Sequence, residues 1–357
     1  MASAELYRQR ANHFQTQADQ LEKTIRQHSL ARLIIVIVVV ILIYFGFQQP
    51  VYFSPAVLLC FLFLFLVQRQ QKKEKEKEIA ELSRKLNAWE EEAIDYNFKN
   101  FPDGIDFVDP QHSYSHDLDL FGDGSLFQYL NRCATRLGEN KLANNLTKLR
   151  FKREEIVDRQ LAIRELGPLL EFRQLCWATG KQIQDSKFNL DPVLIWLKQP
   201  ALFYGNKFFT FLRWILPTIT CSALIGVIFI TELRLVFIIP FVLIQLGIAS
   251  FYNKPITKLQ EELSRYRVIM ENYSRLFDSL SKQIVESKLL RHHQQIAKDA
   301  TDHVHELSKL INAIESRANM IARMFGNGLF MYDFHTVTKL EEWRAKYASD
   351  LPHWLES

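Results

Sequence analysis

The sequence predicts an all-α membrane protein: two transmembrane helical hairpins and a cytoplasmic helical body with long helices. Three observations carry this expectation. Four apolar blocks, Leu33–Phe47, Val51–Val67, Trp214–Ile230 and Leu235–Phe251, contain no Asp, Glu, Lys, Arg or His. Only 12 Gly and 11 Pro in 357 residues disfavour a turn-rich, all-β fold. Outside the blocks, apolar residues recur at helical spacings within long charged stretches.

Each block sits near the lower end of the roughly 17–25 residues that cross a bilayer as a helix. A buried helix of a soluble protein keeps a polar stripe, and these blocks have none. A cleaved signal peptide fits the first block poorly, because a long polar segment precedes it and no A-x-A-like site follows. Basic residues flank both hairpins. Arg8, Arg10, Lys23, Arg26 and Arg32 precede the first, and Arg69, Lys72, Lys73, Lys75 and Lys77 follow it. Lys198, Lys207 and Arg213 precede the second, and Lys254, Lys258, Arg265 and Arg267 follow it. The tips, Gln48-Gln49-Pro50 and Thr231-Glu232-Leu233-Arg234, are uncharged or near neutral. The positive-inside rule then places the chain in the inner membrane as a multi-pass protein with its bulk in the cytoplasm. The blocks lack the ionisable groups that transporters keep at membrane depth, so they read as anchors, with Gln245 as helix–helix glue.

The domain organisation follows from these boundaries. A cytoplasmic amphipathic helix (1–30) precedes the first transmembrane hairpin (31–68). A charged cytoplasmic helix (69–96) and a linker (97–116) come next. Core helices (117–211) lead to the second transmembrane hairpin (212–252). Long cytoplasmic helices (253–326) and a return segment of the core (327–357) complete the chain. Tyr7, Ala11, Phe14, Ala18, Leu21, Ile25 and His28 follow a/d spacing, as do Ile79, Leu82, Leu86, Trp89 and Ala93. These two helices either pair as an antiparallel coiled coil continuing the hairpin or pack separately on the body. Lys72 to Glu78 alternates in sign and reads as a solvated face, with weak attraction to anionic lipid as a second role.

Asn97 to His116, rich in Pro, Asp, Gly and Ser, reads as the linker. Ser125 and Gln128 form a capping box that starts a helix burying Leu126, Tyr129, Leu130, Cys133 and Leu137. Gly138 breaks or bends it. A second helix spans about Glu139 to Leu149, and a third carries Ile156, Gln160, Ile163 and Leu166. A helical stretch from about Ile256 to Phe325 is expected to end at Gly326-Asn327-Gly328. Leu329 to Tyr332 is a short apolar piece, and Lys339 to Tyr347 is the last helix.

No constellation recommends an active site. Cys60, Cys133, Cys176 and Cys221 show no C-x-x-C spacing and read as reduced thiols. His112, His116, Asp117 and Asp119 fail the calcium-loop pattern, with Phe121 and Gln128 at ligand positions. His292, Asp299 and His303 share one face of the long helix, with His293 and His305 nearby, but one face rarely closes a metal shell. Phosphate-cradling, dinucleotide, nucleophile-elbow and H-E-x-x-H motifs are missing from the sequence. Gly180-Lys181 is followed by Gln182, and Leu175 stands where a phosphate loop needs its first glycine.

The stretch from Asp117 to Gly138 resembles the start of the helical core, or lever, domain of the DNA mismatch-repair MutS family. The motif residues are Gly124, Ser125 and Leu126 at a helix start, then Thr135 and Gly138 at the following turn. Ile156 to Leu166, with Arg159 and Gln160, is similar to the family's next helix, with Glu171 to Leu175 as its continuation. Asn327 to Leu355 is similar to the segment where the core returns. The family's Phe-x-Glu mismatch reader has no counterpart, a membrane hairpin stands where the family has its DNA clamp, and the ATPase part is not present in this chain. The pattern looks like the membrane-bound MutS-related proteins of some bacteria. The resemblance implies a non-catalytic core that couples a nucleotide-dependent ATPase module to DNA or to the membrane. ATP and magnesium would enter only through an ATPase domain supplied elsewhere. The partners it implies are the bilayer, a second copy or an ATPase partner, and DNA. The rival expectation is a membrane-bound coiled-coil scaffold or interaction protein with no nucleic-acid role.

Overall fold

The computed structural model describes residues 4–148, 152–183, 191–229, 236 and 238–356, and all regular elements among them are helices. The chain folds into two compact units. The first comprises 1–156 and 166–182, the second 157–165 and 183–357.

In the first unit, α1 (Ala4–Gly46) and α2 (Phe53–Ile94) are unbroken helices of 43 and 42 residues. At 1.5 Å per residue each is about 65 Å long. The chain reverses between them through Gln48 and Gln49, whose amides both bond the Phe45 carbonyl at 2.9 Å, and a 3-10 turn at Pro50–Tyr52. Gly46 faces the Phe53 ring, Ser29 faces Gln70, Glu22 faces Lys77 and Arg8 faces Glu91. Each pair is equidistant along the chain from the Gln49–Pro50 bond, so one register holds from the turn to the far ends. In each helix the apolar block and the adjoining charged segment therefore form one unbroken rod.

The two helices thus pair with each other and do not pack separately, and the charged half of α2 packs in addition on α6 (Leu170–Lys181). Leu86 and Ala93 share a core with Phe101, Trp177 and Ala178, flanked by Ile79, Leu82, Trp89 and Phe98. Asn87 and Gln174, both buried, exchange amide hydrogen bonds of 3.1 and 2.8 Å, and Arg10 Nε adds a third to Gln174 at 3.1 Å.

The segment expected as a linker is folded. Phe101 is 2% exposed, the Gln128 side chain donates to its carbonyl at 2.9 Å, and Asn131 donates to that of Pro102 at 3.1 Å. The polar composition masked the apolar anchors Phe98, Phe101 and Phe107 set between the turns. At Gly104, with φ of +72°, an added Cβ would lie 2.6 Å from the Phe127 ring, so only glycine fits there.

Three further helices complete this region: α3 (Leu126–Leu130), α4 (Arg136–Thr147) and α5 (Arg153–Leu166), of which 157–165 belongs to the second unit. The expected apolar face is not the buried one. Leu126, Tyr129 and Leu130 are 43–46% exposed and Leu137 is only partly buried, whereas Phe127 is fully buried. A helix of barely more than one turn has no periodicity to obey. Ile156 and Ile163 of α5 are likewise exposed, and Ala162 is the buried residue.

The second unit holds α7 (Asp191–Lys198), α8 (Lys207–Phe229), α9 (Ile239–Phe251), α10 (Asn253–Ser264), α11 (Arg267–Lys282), α12 (Lys288–Glu315), α13 (Met320–Phe330), α14 (Tyr332–Tyr347) and α15 (Asp350–Glu356). The expected tip Thr231–Arg234 lies outside the described residues. On α12, Ala297, Ala300, Val304, Leu307, Ile311 and Ile314 are buried at alternating three and four spacing, and α11, α14 and α15 pack on it. Phe334, Val337, Leu340 and Trp343 of α14 supply the other side of this core.

Two boundaries differ from expectation. Gly326-Asn327-Gly328 lies inside α13 instead of ending a helix, because Asn327 and Gly328 are buried against neighbouring elements. The reversal comes at Met331, a left-handed residue with φ of +47°. The last expected helix starts at Tyr332, seven residues before Lys339, and α15 follows it.

Candidate functional site

The motif residues of the Asp117–Gly138 stretch stabilise helix ends. Ser125 Oγ accepts from the Gln128 amide at 3.2 Å, and Gln128 Oε1 accepts in return from the Gly124 amide at 2.8 Å, one residue earlier than in the usual box. Thr135 Oγ1 accepts from the Gly138 amide at 3.2 Å and caps α4. Arg132 clasps the stretch to α2, with bonds of 2.6 and 3.0 Å to the Glu90 carboxylate and its guanidinium 3.6 Å from the Phe101 ring centroid. Arg159 and Gln160 lie in the part of α5 that belongs to the second unit, with Gln160 exposed.

His112, His303, Cys133 and Cys176 have structural surroundings. His112 Nδ1 accepts from the Ser115 amide at 3.2 Å and Nε2 bonds the Thr147 carbonyl at 3.1 Å, so both ring nitrogens are engaged. His303 stacks on Tyr347 and Trp354. Among the described residues no three His, Cys, Asp or Glu side chains cluster as metal ligands. Burial pushes the Cys133 and Cys176 thiols up to about 11, far from a reactive thiolate. Gly180 and Lys181 sit in the last turn of α6.

The polar chemistry of the second unit concentrates around α8, α9, α10, α13 and α14. Arg317, 2% exposed, follows α12 and makes four side-chain hydrogen bonds as well as an ion pair with Asp333. Nε donates to Asp333 Oδ2 at 3.1 Å, and Nη2 forms an ion pair with the same oxygen at 3.0 Å. Nη1 donates to Thr257 Oγ1 and Gln260 Oε1 at 3.0 and 3.1 Å, and Nη2 to Asn253 Oδ1 at 2.9 Å. Asp333 is itself 2% exposed, and its amide donates to Asn327 Oδ1 at 2.9 Å. Beside this network, Asn253, Arg323, Asn327 and Asp333 line a cavity of about 180 Å³ with Leu246 and Met324.

Two further devices fix α14. Glu341, 3% exposed, accepts from the consecutive amides of Leu202, Phe203 and Tyr204 at 2.5, 2.9 and 2.9 Å. Pro217 inside α8 has no N–H for the Arg213 carbonyl, and His335 Nε2 donates to that carbonyl at 2.9 Å. Burial holds the His335 imidazole below its usual range, although the Arg213 bond acts in the opposite direction. Between α8 and α9, fully buried Gln245 donates to Thr220 Oγ1 and, at 3.4 Å, to the Leu216 carbonyl. Sequence reading singled out Gln245 but missed Arg317, Asp333, Glu341 and His335. A proline in an apolar block, which frees a carbonyl four residues earlier, was an available signal.

These groups lock helices together and pair no nucleophile with a base. Among the described residues three helices, α1, α2 and α8, are long and apolar enough to cross a membrane, and α9 is apolar over 13 residues. Leu33, Val40, Leu58, Phe61, Trp214 and Leu243 are each 57–70% exposed on their surfaces, as suits lipid contact, and these helices mark the chain as membrane-associated. No protein-family model matches the chain, and no curated protein or solved structure matches it.

Proposed function

We propose that the protein is a membrane-anchored helical scaffold whose α1–α2 hairpin is at once membrane anchor and coiled-coil stalk. The observation that supports this reading is the single register of α1 and α2 through both the apolar and the charged segments. The charged part of α1 up to residue 31 extends about 40 Å, enough to hold a bound partner clear of the bilayer. In this reading the basic flanks set the polar parts on the cytoplasmic side, both hairpin tips face outward, and the chain itself carries out no reaction. Partner binding belongs to the stalk, where α1, α2 and α6 border a groove of about 510 Å³ lined by Arg10, His13, Phe14, Ser83 and Gln174.

The test uses cysteines at Glu22 and Lys77 with a short bis-maleimide, applied to membranes containing the full chain with its four native cysteines replaced. Intrachain cross-linking is expected. Cross-links only between chains would overturn the self-paired stalk.

A further inference from the structure

We propose that α13 is a third membrane-embedded element, a short helix that enters the acyl-chain layer beside α9 and turns back without crossing. This rests on the membrane reading above and names lipid acyl chains as what covers its outer face.

Four observations carry it. First, Gly328 of α13 sits against α9, where an added Cβ would lie 3.1 Å from Val242 Cγ1 and 3.6 Å from Leu246 Cγ. Val242 and Leu246 lie in the body of the apolar block, so whatever touches them lies at membrane depth if α9 does. Small residues at such contacts let helix backbones approach closely in lipid. Second, the outer face of α13 is apolar. Met320, Ile321, Met324, Phe325 and Phe330 are 71%, 69%, 52%, 60% and 53% exposed, continuous in character with Leu243 and Ile244 of α9 at 61% and 50%. In water such a face would be an aggregation liability.

Third, Arg323 is the only charged residue of α13, and its Nη1 lies 3.4 Å from Asn253 Oδ1, just beyond the end of α9, where a long basic side chain reaches the interface. Fourth, the first amides of α13 are capped by a side chain, which lowers the cost of placing that end in lipid. Asn319 Oδ1 accepts from the Ile321 and Ala322 amides at 3.0 and 3.1 Å, and the Met331 amide bonds the Asn327 carbonyl at 3.3 Å. Met331 is fully buried, and its left-handed backbone reverses the chain directly into α14. With 11 residues, α13 is about 16 Å long, half the roughly 30 Å apolar layer, so it can dip but not span.

The test reconstitutes the full chain in phosphatidylcholine vesicles with a photoreactive probe confined to the acyl layer, followed by mass spectrometry of the modified peptides. Labels are expected on Ile321, Met324 and Phe325 together with Leu243. Label on Leu243 and none on α13 would overturn the inference while leaving the membrane reading in place. Label on neither would overturn both. In intact vesicles trypsin is expected to spare Arg323, and Ile321→Glu combined with Phe325→Glu, both at exposed positions, to expose it by at least tenfold faster cleavage. Equal cleavage in both proteins counts against the proposal. A Phe325→Cys protein that forms disulfide-linked dimers and takes no lipid label would assign the face to a second copy and overturn it.

Discussion

Removing Arg317 is expected to be the most damaging single change in the second unit, and removing its partner with it is expected to be far milder. Arg317→Met deletes four hydrogen bonds and an ion pair at once and leaves the Asp333 carboxylate, 2% exposed, with no cation. Breaking a buried ion pair from one side costs about 3–5 kcal/mol, because the remaining charge is stranded in a poorly solvated site. For a domain of this size each kcal/mol moves the midpoint by about 2–4 °C, so a fall of about 6–20 °C is expected. Arg317→Met with Asp333→Leu removes both charges. Asn253, Thr257 and Gln260 are only partly buried and can turn to water, so the pair is expected to recover about half of the loss or more. Thermal unfolding of wild type, both single variants and the double variant in one detergent gives the coupling energy, expected at about 1–3 kcal/mol. A midpoint change under about 2 °C for Arg317→Met, or a double variant less stable than either single one, would refute the reasoning.

Four other outcomes are expected. Phe127→Ala costs about 3–5 kcal/mol and Leu130→Ala under about 1, since only the first side chain is buried; equal losses in detergent-phase unfolding would return Leu130 to the core. Gly104→Ala destabilises by more than the roughly 1 kcal/mol of a left-handed alanine, because its methyl also meets the Phe127 ring; an unchanged midpoint would show that this ring moves freely. His335, held below its ordinary 6.5 by burial, stays neutral in the fold while the unfolded chain takes up the proton first. Stability is therefore full above that value and declines as pH falls below it, and His335→Gln flattens the decline; identical profiles would remove His335 from the account. Under the scaffold reading, duplex DNA shows no saturable binding. Affinity that falls about a thousandfold between roughly 50 and 200 mM salt would instead support the mismatch-repair-like reading.

What the sequence disclosed depended on how local the determinant is. An apolar block free of ionisable groups is a property of consecutive residues, and all but Phe47, Val51 and Tyr52 of Leu33–Phe47 and Val51–Val67 emerge as the apolar ends of α1 and α2. Helix caps are also local: Ser125 and Thr135 each cap the helix that follows. The same fact weakens the family resemblance, because S-x-x-Q and T-x-x-G are spacings that any capped helix start can show. Burial within short elements is not local. Leu126 and Leu130 had the hydrophobicity of core residues, but Phe127 has Phe107 and Phe121 beside it, and Phe107 comes from the stretch expected to be a linker. Gly326 and Gly328 illustrate the other failure. A glycine that ends a helix and one that admits a neighbouring helix look alike in sequence, and only Val242 at 3.1 Å tells them apart.

The mirror symmetry of α1 and α2 about the Gln49–Pro50 bond makes the two arms a matched pair of rulers. An insertion of one residue in either arm, anywhere between Arg8 and Gly46 or between Phe53 and Glu91, rotates everything beyond it by about 100° and misaligns every later pair with the opposite strand. Mirrored single insertions restore the axial register but turn both apolar faces away from the seam, so only a heptad added to each arm restores it. The length of this hairpin is thus inherited as one quantity written in two places, and the two halves are constrained to drift together.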